Sequence, residues 1–125
     1  MERGMEQAMK KKVSLSWLLA FYGEMLTENQ QEMSRLYWEE DLTLAEIAQQ
    51  FSISRQSVHD TISRTEKQLE GMEEKLGLLR RFRAVEEGLR ACKEELEMVV
   101  PTLETGMHLD AARRWIKALL DQEEQ

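Results

Sequence analysis

The chain has 125 residues, with 17 Lys+Arg against 24 Asp+Glu, a formal charge of −7, one cysteine and one proline. One cysteine excludes an internally stapled secreted scaffold, and no apolar run reaches the roughly 20 residues of a membrane span. Residues 1–69 carry 8 basic and 11 acidic groups (net −3) and residues 70–125 carry 9 and 13 (net −4), so neither part is a generally basic nucleic-acid binder, whose affinity comes from neutralised phosphates.

Any nucleic-acid contact must therefore be local, or the partner is a protein. Few β-branched residues, one proline and much Glu, Leu, Gln, Lys and Met predict an all-α chain. Lys10-Lys11-Lys12 precedes a stretch interrupted by Ser14 and Ser16 with no small-residue cleavage site, which does not read as a signal peptide. A reduced, cytoplasmic protein is expected.

Residues 1–13 are polar and lack apolar periodicity, so a flexible amino terminus with solvated lysines is expected there. The spacing predicts a first helix over Ser14–Met25, with Leu15, Leu18, Leu19 and Tyr22 as its stripe, widened by Trp17 and Phe21. Thr27-Glu28-Asn29-Gln30 is a capping box that opens a second helix, with Met33, Leu36 and Tyr37 inward, Trp38 at the margin and Glu39-Glu40-Asp41 as a polar stop. Thr43-Leu44-Ala45-Glu46 repeats the device for a third helix, which buries Leu44, Ile47, Ala48 and Phe51. After the turn Ser52-Ile53-Ser54, with Ser54 as cap, a fourth helix carries Val58, Ile62, Leu69, Met72, Leu76 and Leu79 inward, with Thr65 filling one position.

Gly77 falls where this seam changes phase. Phe82, Val85, Leu89, Cys92, Leu96 and Val99 then repeat at three, four, three, four, three, until Pro101 stops the helix. A last helix is predicted over Leu109–Leu120, capped by Thr105, with Ala112, Trp115, Ile116 and Leu119 inward and a fraying tail over 121–125. The expected organisation is a flexible 1–13, a helix-turn-helix domain over 14–77 and a helical arm over 78–125. A seam longer than one bundle can cover becomes a dimer face, so a homodimer through the carboxy-terminal helices is expected.

The third and fourth helices meet the requirements of a helix-turn-helix one by one. Ala48 is the small residue at the crossing, Ile53 the turn's apolar residue, expected to be buried, and Val58 and Ile62 the inward pair of the second helix. Ser52 stands where such turns often have glycine. The outward side chains at the start of the second helix are Ser54, Arg55, Gln56, Ser57 and His59, with Arg64 further along; these are the candidate contact residues for nucleic acid or a partner. Only Arg55, Arg64 and Lys67 are basic over 54–69, offset by Asp60 and Glu66.

Several blocks in order carry a family resemblance: Leu19-Ala20-Phe21-Tyr22-Gly23-Glu24-Met25-Leu26-Thr27, Tyr37-Trp38-Glu39-Glu40-Asp41-Leu42-Thr43-Leu44-Ala45-Glu46-Ile47-Ala48, Ser52-Ile53-Ser54-Arg55-Gln56-Ser57-Val58-His59-Asp60 and Glu73-Glu74-Lys75-Leu76-Gly77-Leu78. Over about Leu15 to Leu79 the chain resembles the YlxM family of bacterial helix-turn-helix proteins, and its helix-turn-helix is similar to the fourth region of sigma factors. His59 departs from the tyrosine usual in the family. The resemblance implies a sigma-region-4-like bundle. It also implies a regulatory or accessory role in protein targeting by the signal recognition particle, because family members are typically encoded beside that particle's GTPase or its receptor. The expected partners are that GTPase, the particle's RNA, or both; the alternative is a sequence-specific DNA-binding regulator.

No other pattern carries chemistry. Cys92 sits in the seam as a small core residue, His59 and His108 lack a ligand cluster, and Glu86-Glu87 and Glu94-Glu95 read as solvated helix faces. Arg80, Arg81 and Arg83 are expected to pair with glutamates a turn away. There is no glycine-rich phosphate loop. The expectation is a non-enzymatic protein with no cofactor, metal, small-molecule substrate or membrane contact.

Overall fold

The computed structural model describes residues 2–123. They form helices α1 (Glu2–Tyr22), α2 (Glu28–Trp38), α3 (Leu44–Phe51), α4 (Arg55–Leu76), α5 (Leu78–Glu97) and α6 (Gly106–Glu123), with one 3-10 turn at Gly23–Met25 and, among the described residues, no strand. The chain divides into two compact units, Met1–Leu79 and Arg80–Gln125.

In the first unit α1, α2 and α4 pack on one another and α3 packs on α2 and α4. The core is built from Leu15, Leu18, Leu19 and Tyr22 of α1, Met33 and Leu36 of α2, Ile47 and Ala48 of α3, and Val58, Ile62 and Leu69 of α4. These are the three- and four-residue stripes of the sequence. Each buried Leu or Ile side chain contributes about 1.5–3 kcal/mol relative to exposure. Both capping boxes form: the Gln30 and Glu46 amides donate to Thr27 Oγ1 and Thr43 Oγ1, and each threonine amide donates back to the Gln30 or Glu46 side chain.

Gln30 does more than cap. Its Nε2 donates to Thr65 Oγ1 at 3.1 Å and to Gln68 Oε1 at 2.6 Å, tying the start of α2 to α4. Thr65 is fully buried, and its hydroxyl is satisfied by donating to the Thr61 carbonyl at 2.7 Å. Trp38, expected at the margin, is buried, whereas Leu44 and Phe51 are only half-covered.

The amino terminus differs from expectation. Helix α1 begins at Glu2, not Ser14. Its first turns have no core stripe to read, but Glu, Gln, Ala, Met and Lys are strong helix formers and extend a helix already nucleated on the core. Two lysines read as solvated are engaged: Lys11 Nζ lies 2.7 Å from Glu66 of α4, and Lys12 Nζ lies 3.5 Å from Asp41 and 5.1 Å above the Tyr37 ring. Glu66 holds the Lys11 ammonium above its ordinary pKa, first through the hydrogen bond and then through its charge.

Gly77 breaks the long helix. It adopts φ 63°, ψ 27°, the left-handed conformation that costs glycine least, and its amide donates to the Glu73 carbonyl. Tyr22, 1% exposed, locks this break: its hydroxyl donates to Glu73 Oε1 at 2.7 Å and accepts from the Leu78 amide at 3.2 Å. Glu73 Oε1 also accepts from the Leu79 amide at 3.0 Å, which satisfies an orphan donor at the start of α5. Leu76, placed in the seam by its spacing, is 53% exposed because the break ends the seam there.

In the second unit α5 stops at Glu97, before Pro101, and α6 begins at Gly106, three residues before the predicted start. Thr105 Oγ1 does not cap α6; it accepts from the Thr102 amide, and Thr102 Oγ1 accepts from the Thr105 amide. Leu109, Ile116 and Leu120 are buried, and Arg113 Nη2 donates to the Leu96 carbonyl at 3.0 Å. Five residues expected inward by their spacing are not core. Val85, Val99 and Cys92 are exposed, and so is Trp115 at 72%. Leu119 also stands outside. Heptad spacing states that a face is apolar, not that a neighbour covers it. On α5, Arg90 pairs with Glu86 at 3.4 Å. Of the predicted tail, α6 takes in Asp121–Glu123 and the last two residues lie outside the described region.

Candidate nucleic-acid interface

The helix-turn-helix rests on a turn that the backbone closes tightly. Ser52 takes φ 55°, ψ 42°, the left-handed position where glycine is common. The Ile53 amide then donates to the Ala48 carbonyl at 3.1 Å, the bond that ends a helix in a Schellman turn. Ile53 itself is 39% exposed, so the turn residue expected to be buried is not. The turn is held by its backbone bonds and by Ile47 and Val58 on either side, both 0% exposed.

Ser54 starts α4. Its Oγ accepts from the Ser57 amide at 3.0 Å and donates to Ser57 Oγ at 2.8 Å. Ser54 Oγ is thus engaged by the cap as both donor and acceptor, while Ser57 Oγ enters it as an acceptor. Val58, one turn on, anchors the helix in the core and leaves Arg55, Gln56, His59 and Arg64 in solvent. Gln56 Nε2 donates to Asp60 Oδ1 at 2.9 Å, and His59 Nδ1 lies 3.5 Å from the same oxygen. Asp60 therefore orients Gln56 and adds a negative charge beside it and His59.

Arg55, His59, Ser63 and Lys67 follow at four-residue intervals along the outer side of α4, a row about 18 Å long. Leu44, Arg55, Gln56 and His59 line an open cleft at the helix start, and Asp60, Ser63, Arg64, Lys67 and Gln68 line a second one further along. The first turn of α4 has no acidic residue, so the partial positive charge of the helix start is uncancelled within it. This is a surface that can meet a phosphate backbone and present amide, imidazole and guanidinium groups to base edges. The sequence presents Lys67 only as a basic group of 54–69 and Lys11 only as a solvated lysine. Lys67 follows from the four-residue row, but the Lys11–Glu66 pair joins residues far apart in the chain. Among the described residues no group of three His, Cys, Asp or Glu could hold a metal ion, and no helix is long and apolar enough to cross a membrane.

The family model of UPF0122, the YlxM / p13-like helix-turn-helix proteins, matches residues 9–104. The chain belongs to this family. Among curated relatives, a UPF0122 protein of Desulforamulus reducens is 49% identical over 74 residues, which is 59% of this chain and 63% of that protein. Relatives from Halalkalibacterium halodurans and an Exiguobacterium species are 44% and 39% identical, over 70% and 72% of this chain and 80% and 84% of their own length. The chain thus spans less than two thirds of the Desulforamulus UPF0122 protein but most of the other two. The match runs from within α1, through the helix-turn-helix and across α5, ending at Glu104 before α6.

Proposed function

We infer that this UPF0122 protein is a non-enzymatic, regulatory or accessory protein that binds nucleic acid through the exposed start of α4. The observation that carries this reading is the outward row Arg55, Gln56, His59 and Arg64 on a helix anchored by fully buried Val58, after a turn held by backbone bonds. Such a first turn reaches base edges when the helix lies in a major groove. The basic groups are few and the chain is acidic at −7. Affinity therefore rests on local contacts or on a partner that supplies part of the surface, rather than on charge alone. The role that best suits an acidic helix-turn-helix protein of this family is in protein targeting by the signal recognition particle, with the particle's RNA, its GTPase or both as partners. An operator-binding transcription regulator is the alternative, favoured by the bidentate base-reading chemistry of Arg55 and Gln56.

Fluorescence anisotropy against the reconstituted particle, its free RNA and duplex DNA from upstream of the protein's own gene separates the two. Saturable binding to the particle or its RNA, with weak, steeply salt-dependent DNA binding, supports the targeting role. Tight, sequence-dependent DNA binding at physiological salt with no particle binding refutes it. Arg55→Ala with Gln56→Ala is expected to weaken binding to any nucleic acid at least tenfold with unchanged helicity.

A further inference from the structure

The perfect seam of α5 is covered along only one of its two lines. Phe82, Leu89 and Leu96, seven residues apart, are half-buried. Val85 and Cys92, also seven apart, are exposed, Val85 at 49%; Val99, the next by spacing, lies beyond the end of α5. Beside this open line runs a third one, Arg81, Gly88 and Glu95, exposed throughout. A side chain at Gly88 would meet nothing within 4 Å, so the middle of this face is open to close approach.

We propose that this face is covered by a second copy of the chain, with α5 packed antiparallel on the α5 of the partner and crossing at Gly88. Charge sets the direction. Arg81 lies two turns before Gly88 and Glu95 two turns after it, each about 10 Å from the crossing point. Antiparallel packing about that point sets Arg81 against Glu95 of the partner, twice by symmetry. Parallel packing in register sets arginine against arginine and glutamate against glutamate. The antiparallel register also brings Val85 near Cys92 of the partner, joining the exposed apolar line to its copy.

Apolar surface elsewhere in the unit is also left uncovered. In the second unit the buried hydrophobic residues are Leu109, Ile116 and Leu120, while Trp115 is 72% and Leu119 44% exposed. The other strongly exposed apolar side chains of the unit, Met98, Val100, Leu103 and Met107 at 80% or more, lie outside α5, so a partner copy has apolar surface to cover beyond that helix as well. Small helical units regularly complete their cores by association of this kind.

The test is the mass in solution by light scattering and sedimentation, with the full chain at tens of micromolar. A species of twice the 14.7 kDa chain is expected. Val85→Glu, at an exposed position, is expected to give a monomer with unchanged helical circular dichroism. Arg81→Glu and Glu95→Arg are each expected to weaken the dimer about tenfold, and the two together to restore it. Two Cys92 residues would stand about 12 Å apart along the axis, beyond disulfide reach, so mild oxidation is expected to leave the dimer uncrosslinked. A monomer at that concentration overturns the proposal, as does a dimer that Val85→Glu leaves intact. A dimer that ignores both charge reversals, or crosslinks readily through Cys92, overturns the antiparallel arrangement.

Discussion

Replacing Tyr22 by Phe isolates the contribution of one hydroxyl to the junction where α4 ends and α5 begins. The ring is 1% exposed, and phenylalanine fills almost the same volume, so the packing part of the change is near zero. What goes is a 2.7 Å hydrogen bond to the Glu73 carboxylate and the acceptor of the Leu78 amide at 3.2 Å. A bond to a charged group is worth about 1.5–3 kcal/mol and a neutral one about 1 kcal/mol, and water can reach the amide part of the time. The expected loss is about 2–3 kcal/mol, a large share of a typical stability of 5–15 kcal/mol. For a bundle of this size, 1 kcal/mol moves the melting point by about 4–8 °C, so Tm should fall by about 8–24 °C. Urea unfolding followed by far-ultraviolet circular dichroism should show a lower midpoint at unchanged slope. Tyr22→Ala, which also opens a cavity, should cost more, by about 3–5 kcal/mol for the ring alone. A Tyr22→Phe variant within about 0.5 kcal/mol of the parent would mean that the Tyr22–Glu73 network orients the chain without stabilising it, and the reasoning would fail.

Ser52→Gly should stabilise the protein by about 1 kcal/mol, read as a higher urea midpoint, because Ser52 holds a left-handed conformation that glycine adopts freely; a lower midpoint would refute this. Glu46 is held below the ordinary carboxylate pKa, first by the Thr43 amide and then by its hydroxyl. A carboxylate whose pKa is depressed by folding stabilises the fold above its unfolded value and loses that contribution as the pH falls through the folded one. Stability should therefore decline on acidification below about pH 4.5, and Glu46→Gln should flatten part of that decline; identical pH profiles would count against the cap.

The helical architecture and the candidate site were legible in the sequence for a common reason: both depend on local patterns. Capping boxes at Thr27 and Thr43 are closed by residues three positions away, and the stripes of α1 and α4 recur within one turn. The helix-turn-helix needed only Ala48, Val58 and Ile62 at their offsets and a residue able to hold φ 55° at Ser52. The outward position of Arg55, Gln56, His59 and Arg64 follows from the same periodicity, since the inward positions of α4 were already taken.

What escaped the sequence is pairing between distant residues and the presence or absence of a cover. The early turns of α1 showed no stripe, yet Lys11 meets Glu66 and Lys12 meets Asp41. The hydroxyls of Ser54 and Ser57 turn to one another in the cap, a geometry that spacing does not specify. Tyr22 reads as one more core residue, but its hydroxyl joins α1 to Glu73 and Leu78, more than fifty positions away. Cys92 and Trp115 carry the spacing of buried residues and stand in solvent. Periodicity arises from the geometry of one helix, so it determines which side chains share a face; only the placement of other helices in space decides whether that face is buried.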